Sequence, residues 1–208
     1  DNIQKTIDEL IGKGILAKVN EPTKWVSSMV VVKKPGTDKL RICTDPKDLN
    51  QALQRPRYPQ PTIEDVLPRL GNAKVFSILD AKDGFWQVKL DEESSYLTTF
   101  WTPSGRARWL RMPFGISPAP EEYQRRQSEH VADLRGVAVI ADDHLVFGCG
   151  STIEEAAMDH DNNLKALLER ARDVGLKFNS SKMRLRLTEV KYMGHVITAD
   201  GLKPDHPR

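Results

Sequence analysis

At 208 residues, 39% of them hydrophobic and 29% charged, the chain can bury one sizeable core or two small subdomains sharing one, and its composition excludes a disordered class. The net charge of +2 names no partner, and no run approaches the ~20 apolar residues that cross a bilayer. The start, Asp1 to Lys5, lacks the apolar stretch of a secretory leader, and a first residue other than Met points to a piece of a longer polypeptide. Cys43 and Cys149 form no CxxC pair, which argues against a zinc site or a disulfide scaffold and for reduced thiols in an intracellular protein that is not secreted.

In chain order, Ile3, Ile7, Leu10 and Ile11 recur at helical spacing and stop near Gly12 and Gly14. Ser28 to Val32 and Leu40 to Cys43 read as two strands joined by a turn at Pro35-Gly36, a hairpin with lysines at its tip. Residues 33–57 hold seven basic residues (Lys33, Lys34, Lys39, Arg41, Lys47, Arg55 and Arg57) against Asp38, Asp45 and Asp48, either a phosphate-facing stretch or a solvated surface. Pro56, Pro59 and Pro61 mark an irregular connector. Thr62 with Asp65 predicts a capping box and a short helix to Leu70.

Val75 to Leu79 is a compact β run ending in Asp80, and Phe85 to Leu90 alternates as a half-buried strand would. Tyr96 to Trp101 and Arg108 to Met112 predict a hairpin around Pro103-Ser104-Gly105. A helix is expected over about 120–133, with Tyr123, Val131 and Leu134 as its clear core residues and polar Gln127 and His130 interrupting the stripe. Val137 to Ile140 and His144 to Phe147 flank Ala141-Asp142-Asp143. Thr152 with Glu155 caps a longer helix that places Leu164, Leu167, Leu168 and Ala171 on one face, and short strands come next near Lys177-Phe178, Arg184 to Leu187 and Tyr192 to Ile197. Tight hairpins mixed with helices predict an α+β fold, a largely antiparallel sheet covered by helices on one side.

The carboxylates carry the chemistry. Asp142 and Asp143 interrupt an apolar strand pair, so they sit at the mouth of a hairpin where two neighbouring charges repel and lose water. Hard oxygen ligands at a strand end suit Mg²⁺. Asp80 ends a similar strand 62 residues upstream, and if the strands are neighbours the three carboxylates converge. By itself an Asp-Asp turn is usually only a turn, Phe85 and Phe114 are usually core aromatics, and Lys34 is usually a solvated lysine. His130, His144, His160, His195 and His206 have no metal-ligand partner at a recognisable spacing.

Six segments in order change that weighting: Val31 to Pro35, Arg41 to Asn50 (RICTDPKDLN), Val75 to Leu90 (VFSILDAKDGFWQVKL), Arg111 to Gly115, Ile140 to Asp143, and Tyr192 to His195. Together they resemble the reverse transcriptases of gypsy-class long-terminal-repeat retrotransposons over nearly the whole chain, and retroviral ones more distantly. The resemblance implies a polymerase palm, an antiparallel sheet backed by helices, with a fingers subdomain. Fingers would cover roughly residues 1–70, palm residues 71–208, with a fingers insertion around 91–115, all in a single reverse transcriptase domain over 1–208.

It implies RNA- or DNA-templated DNA synthesis. Asp80, Asp142 and Asp143 would hold two Mg²⁺ ions, for which Mn²⁺ can substitute. Lys34 and Arg41 would bind the incoming triphosphate. Ala81, Lys82, Asp83 and Gly84 would meet phosphates and metal, Phe85 would exclude a 2′-hydroxyl, and Phe114 would pack beside the nucleotide. Tyr192, Met193, Gly194 and His195 would grip the primer end. The partners implied are template-primer nucleic acid, dNTPs and the rest of a pol polyprotein (thumb, ribonuclease H and integrase, none of which the sequence contains), in a cytoplasmic particle or the nucleus and without a membrane. The departures are Ile140, where an aromatic residue is usual, Trp101 and the polar helix over 120–133. They keep open an inactive polymerase-fold fragment, and a two-metal nuclease is the third reading.

Overall fold

The computed structural model describes residues 2–204, so His206 lies outside the described residues. The chain runs α1 (Asn2–Gly12), β1 (Leu16–Val19), β2 (Ser28–Lys33), β3 (Leu40–Asp45), α2 (Lys47–Ala52), α3 (Ile63–Val66) and β4 (Ala73–Asp80). Next come α4 (Glu92–Leu97), β5 (Phe100–Thr102), β6 (Gly105–Trp109), α5 (Ala119–Val131), β7 (Val137–Ile140) and β8 (Asp143–Cys149). Helix α6 (Ile153–Val174) and strands β9 (Arg184–Leu187), β10 (Glu189–Tyr192), β11 (His195–Thr198) and β12 (Gly201–Pro204) close it. Among the described residues the named strands pair antiparallel, and one isolated parallel bridge joins Ser27 to Phe100.

The chain divides into two compact units, one of residues 1–57 and 83–122, the other of 58–82 and 123–208. In the first, the β2–β3 hairpin pairs Val31 with Ile42 and Lys33 with Leu40, and a separate sheet has the order β1-β6-β5. Ile7 and Leu10 of α1 pack with Leu16, Ile42, Phe100 and Trp109 in one core, the burial the helical spacing foretold.

The second unit is built on a sheet of order β7-β8-β4-β9. Its inner strands are buried on both faces, which is why they read as continuous apolar runs. Leu79, Val139 and Val146 pack on one side with Val131 of α5 and Leu167 of α6. Phe76, Ile78, Ile140 and Leu145 pack on the other with Ile63 and Val66 of α3 and with Val190, Tyr192 and Ile197. Helices therefore meet both faces rather than one, and α3, four residues long, carries no periodicity that shows which side it covers. Gly148 allows α6 its close approach, since a Cβ there would lie 2.0 Å from the Ala156 carbonyl oxygen.

Several expected strands are something else: Phe178 makes only an isolated bridge to Ala81, and Tyr192 to Ile197 is divided between β10 and β11. Phe85 to Leu90 is no strand: Gly84–Gln87 is a single 3₁₀ turn, started by Asp83 at φ 50°, and beyond that turn Lys89 alone bridges to Arg111. Tyr96 belongs to α4, which Asp91 caps by accepting from the Ser94 amide with Glu92 and Glu93 in the first turn. The expected capping residues are in place: Asp65 accepts from the Thr62 amide at 2.7 Å and Thr152 from the Glu155 amide at 3.2 Å. Leu168 of α6 is 42% exposed, off the buried face that Leu167 and Ala171 define.

Candidate active site

Strand pairing assembles the acidic cluster. In the β4–β8 register Asp80 stands opposite Asp143, so their side chains share one face of the sheet. Ile140 pairs with Asp143 across a two-residue turn, Ala141-Asp142, and the Ala81 amide donates to the Asp142 carbonyl at 2.8 Å. Asp142, at the tip of that turn, is thereby tied to the residue next to Asp80.

The turn is held from below by Gln124 of α5, which is fully buried. Its Oε1 accepts from the Ala141 amide at 2.7 Å, and its Nε2 donates to the Val139 carbonyl at 3.0 Å and to Ser128 Oγ at 3.1 Å. Ala141 has φ 52°, a left-handed conformation that costs a non-glycine residue about 1–2 kcal/mol. Gln124 Oε1 holds it there by accepting from its amide. The Tyr192 hydroxyl adds a bond to the Asp143 carbonyl at 3.3 Å.

Burial pushes the Asp143 carboxyl above its ordinary range, and the charges of Asp80 and Asp142 push the same way. Burial likewise raises Asp142, while the Tyr123 hydroxyl and Lys182 oppose the rise. Burial and then the Asp142 charge raise Tyr123 in turn. One cation is already at hand: Lys182 Nζ lies 3.6 Å from Asp80 Oδ1. Among the described residues no group of three or more His, Cys, Asp or Glu side chains is arranged to hold a metal ion. The donor chemistry is nevertheless that of a hard divalent cation: two carboxylates on adjoining strands and a third at the adjacent turn, Asp142 and Asp143 raised by burial and by their negative neighbours, with Lys182 and Arg184 opposing the rise.

The other expected site residues divide between the two units. In the first unit, Phe85 and Phe114 lie 4.9 Å apart between ring centroids, and the Arg41 guanidinium lies 5.2 Å from the Phe114 ring. Three residues from separate segments, positions 41, 85 and 114, are thus brought together. Lys34 is half-buried at the hairpin tip, where its amide closes the turn onto the Lys39 carbonyl at 2.9 Å. In the second unit, the amides of Ala81 and Lys82 donate to the carbonyls of Asp142 and Lys177, which fastens the chain just beyond Asp80. Met193 and Gly194, at φ 50° and 75°, form the two-residue loop between the paired Tyr192 and His195. The Tyr192 side chain is buried beneath the carboxylates, whereas Met193 is exposed.

Residues 32–197 match the family described as reverse transcriptase (RNA-dependent DNA polymerase). The chain belongs to this family. It is 32% identical over 208 residues to the retrovirus-related Pol polyprotein from transposon 297 of Drosophila melanogaster, covering 98% of this chain and 19% of that protein. With the Pol polyprotein from transposon gypsy of the same organism the identity is 30% over 212 residues, covering 99% of this chain and 20% of the relative. The chain thus spans about a fifth of the length of these curated relatives. The structure of a foamy viral protease-reverse transcriptase in complex with double-stranded DNA superposes with a TM-score of 0.83 at 24% identity, over 98% of this chain and 34% of that one. The α+β fold is therefore that of reverse transcriptases, and the gypsy-class resemblance of the six segments stands. No helix among the described residues is long and apolar enough to cross a membrane.

Gln124 and Lys182 escaped the reading of the sequence. A glutamine in a polar helix and a lysine before a short strand carry no local signal, because their roles depend on contacts 17 and 102 positions away.

Proposed function

We propose that this chain is the RNA- and DNA-templated DNA polymerase module of a retrotransposon pol polyprotein, its first unit acting as fingers and its second as palm. The observation that carries the reading is the register that sets Asp80 opposite Asp143, with Asp142 at the adjoining turn. Asp80, Asp142 and Asp143 would hold two Mg²⁺ ions. When bound, such a pair supplies the Lewis acidity that acidifies a primer 3′-hydroxyl and offsets charge on departing pyrophosphate.

The chain's own residues then position and neutralise. Arg41 offers a bidentate fork to the triphosphate of a dNTP, and Lys34 a mobile point charge beside it. Phe114, already packed against Arg41 and Phe85, restricts where that guanidinium can go. Phe85 presents a ring that excludes a 2′-hydroxyl, and Asp83 and Gly84 offer their amides to phosphate. Lys182 brings a further positive charge to the Asp80 carboxylate. The exposed Met193-Gly194 loop with His195 meets the primer end, and Tyr192 supports it from the core.

Primer extension on poly(rA)/oligo(dT) and on a DNA template, with Mg²⁺ and with chelator, tests this reading. Template-directed addition that chelator stops is the expected result. Equal addition by the parent and by Asp143→Asn would remove these carboxylates from the chemistry, no addition by the parent would favour the inactive-fragment reading, and Mg²⁺-dependent degradation without dNTPs would favour a nuclease.

A further inference from the structure

A second polar cluster lies inside the palm-like unit, away from the carboxylates. Ser77 of β4 and His160 of α6 are both fully buried, and Ser77 Oγ lies 2.6 Å from His160 Nε2. His160 Nδ1 lies 2.9 Å from Asp161 Oδ1. A carboxylate can only accept, so Nδ1 carries a proton, and in the neutral ring Nε2 accepts from the Ser77 hydroxyl. The order Asp-His-Ser is that of a hydrolase triad, but no substrate reaches a serine without exposed surface.

Arg186 closes the cluster into a ring. Its amide donates to Ser77 Oγ at 2.9 Å, and its Nε lies 3.2 Å from Asp161 Oδ1. Arg186 also has φ 53°. The strand register explains why. Phe76 pairs with Leu187 and Ile78 with Arg184, so Leu185 and Arg186 together oppose Ser77 alone. That is a β-bulge, and the Ser77 hydroxyl takes the N–H that the bulge removes from the ladder.

The bulge fixes the length of the turn beside the end of the Asp80 strand. The Asn179 amide donates to the Asp80 carbonyl at 2.8 Å, and Arg184 is fixed opposite Ile78, so residues 180–183 form a turn that carries Lys182 to Asp80. Without the bulge, β9 would slide by one residue to put Leu185 opposite Ile78. The turn would gain a residue, and the side chains of β9 on the Arg184 side of the bulge would exchange faces while Leu187 kept its place opposite Phe76.

We propose that His160 is a positioning residue for the carboxylate site: through Ser77 it holds the β9 bulge, and the bulge holds Lys182 beside Asp80. The consequence for catalysis rests on the polymerase reading; the consequence for β9 does not. Ser77→Ala, His160→Leu and His160→Gln are compared by hydrogen exchange and by steady-state primer extension. Ser77→Ala and His160→Leu are expected to speed exchange across residues 179–187 while β7 and β8 keep their protection. They should lower kcat roughly three- to tenfold with little change in the KM for dNTP. His160→Gln, whose Oε1 can accept from Ser77, should restore most of both. Lys182→Met should lower kcat in the parent and add little in the Ser77→Ala background.

Exchange that rises equally in all strands would overturn the proposal, as would a Lys182→Met effect of the same size in both backgrounds. Should His160→Leu fail to fold, Ser77→Ala and His160→Gln carry the comparison. A parent without polymerase activity counts against the polymerase reading alone, and the exchange pattern then decides this one.

Discussion

Asp80 and Asp143 stand directly opposite one another across the β4–β8 pair, so two like charges share a position where cross-strand neighbours normally attract. Like charges so placed destabilise a sheet, and burial makes the Asp143 carboxyl harder to ionise. Without divalent cation, Asp143→Asn should therefore raise stability by about 0.5 kcal/mol. Urea unfolding with and without Mg²⁺ checks this. Added Mg²⁺ should stabilise the parent and leave the variant unmoved, and a variant less stable than the metal-free parent would contradict the repulsion.

Gln124 is the next test of the site's construction. Gln124→Ala leaves the Ala141 amide and the Val139 carbonyl without their buried partner, at a cost of about 1–3 kcal/mol. Ala141→Gly relieves the left-handed backbone at φ 52° and should stabilise by up to ~1 kcal/mol. Denaturant unfolding of both variants measures the two effects. A neutral Gln124→Ala would mean that the turn does not depend on that amide.

Gly148→Ala should be among the most damaging small changes in the chain. The added Cβ would meet the Ala156 carbonyl oxygen at 2.0 Å and the His160 Cβ at 2.5 Å, so α6 must move off the sheet. The expected loss is about 3 kcal/mol or more, seen as a lower urea midpoint. Gly175→Ala, where a Cβ meets nothing within 4 Å, should cost less, its φ of 75° being the only objection.

The Asp133–Arg170 pair provides a pH signature. Two guanidinium nitrogens lie 2.7 and 2.9 Å from the two Asp133 oxygens, and that hydrogen bonding holds the Asp133 carboxyl at about 2, below its ordinary 3.8. A depressed folded-state value means that the contribution is complete above about pH 4 and disappears as pH falls through about 2. The stability difference between the parent and Asp133→Asn should be flat from neutral pH to about 4 and shrink below that. A difference that grows on acidification would reverse the sign and contradict the pairing.

Much of this arrangement is legible in the sequence, and the exceptions share a cause. Asp80, Asp142 and Asp143 can be found because each ends or interrupts an apolar run, and Ile7 and Leu10 because helical spacing is local. Phe85 to Leu90 misleads because alternation is equally compatible with a 3₁₀ turn once Asp83 adopts φ 50°. Tyr96 misleads because the Asp91 cap outweighs its β preference. Gln124, Lys182, Ser77 and His160 are silent because each acts through a partner on another element. Polar positions in the 119–131 helix look like decay in one dimension, yet Gln124 is the best-bonded side chain beneath the carboxylates.

The most direct test is single-turnover addition of one nucleotide to a bound primer, with Mg²⁺, comparing the parent with Asp142→Asn at saturating template-primer. The parent is predicted to extend the primer, and the variant to bind it as tightly while losing nearly all addition. Equal rates from the two proteins, or loss of primer binding in step with loss of addition, would contradict the claim that these carboxylates perform the chemistry.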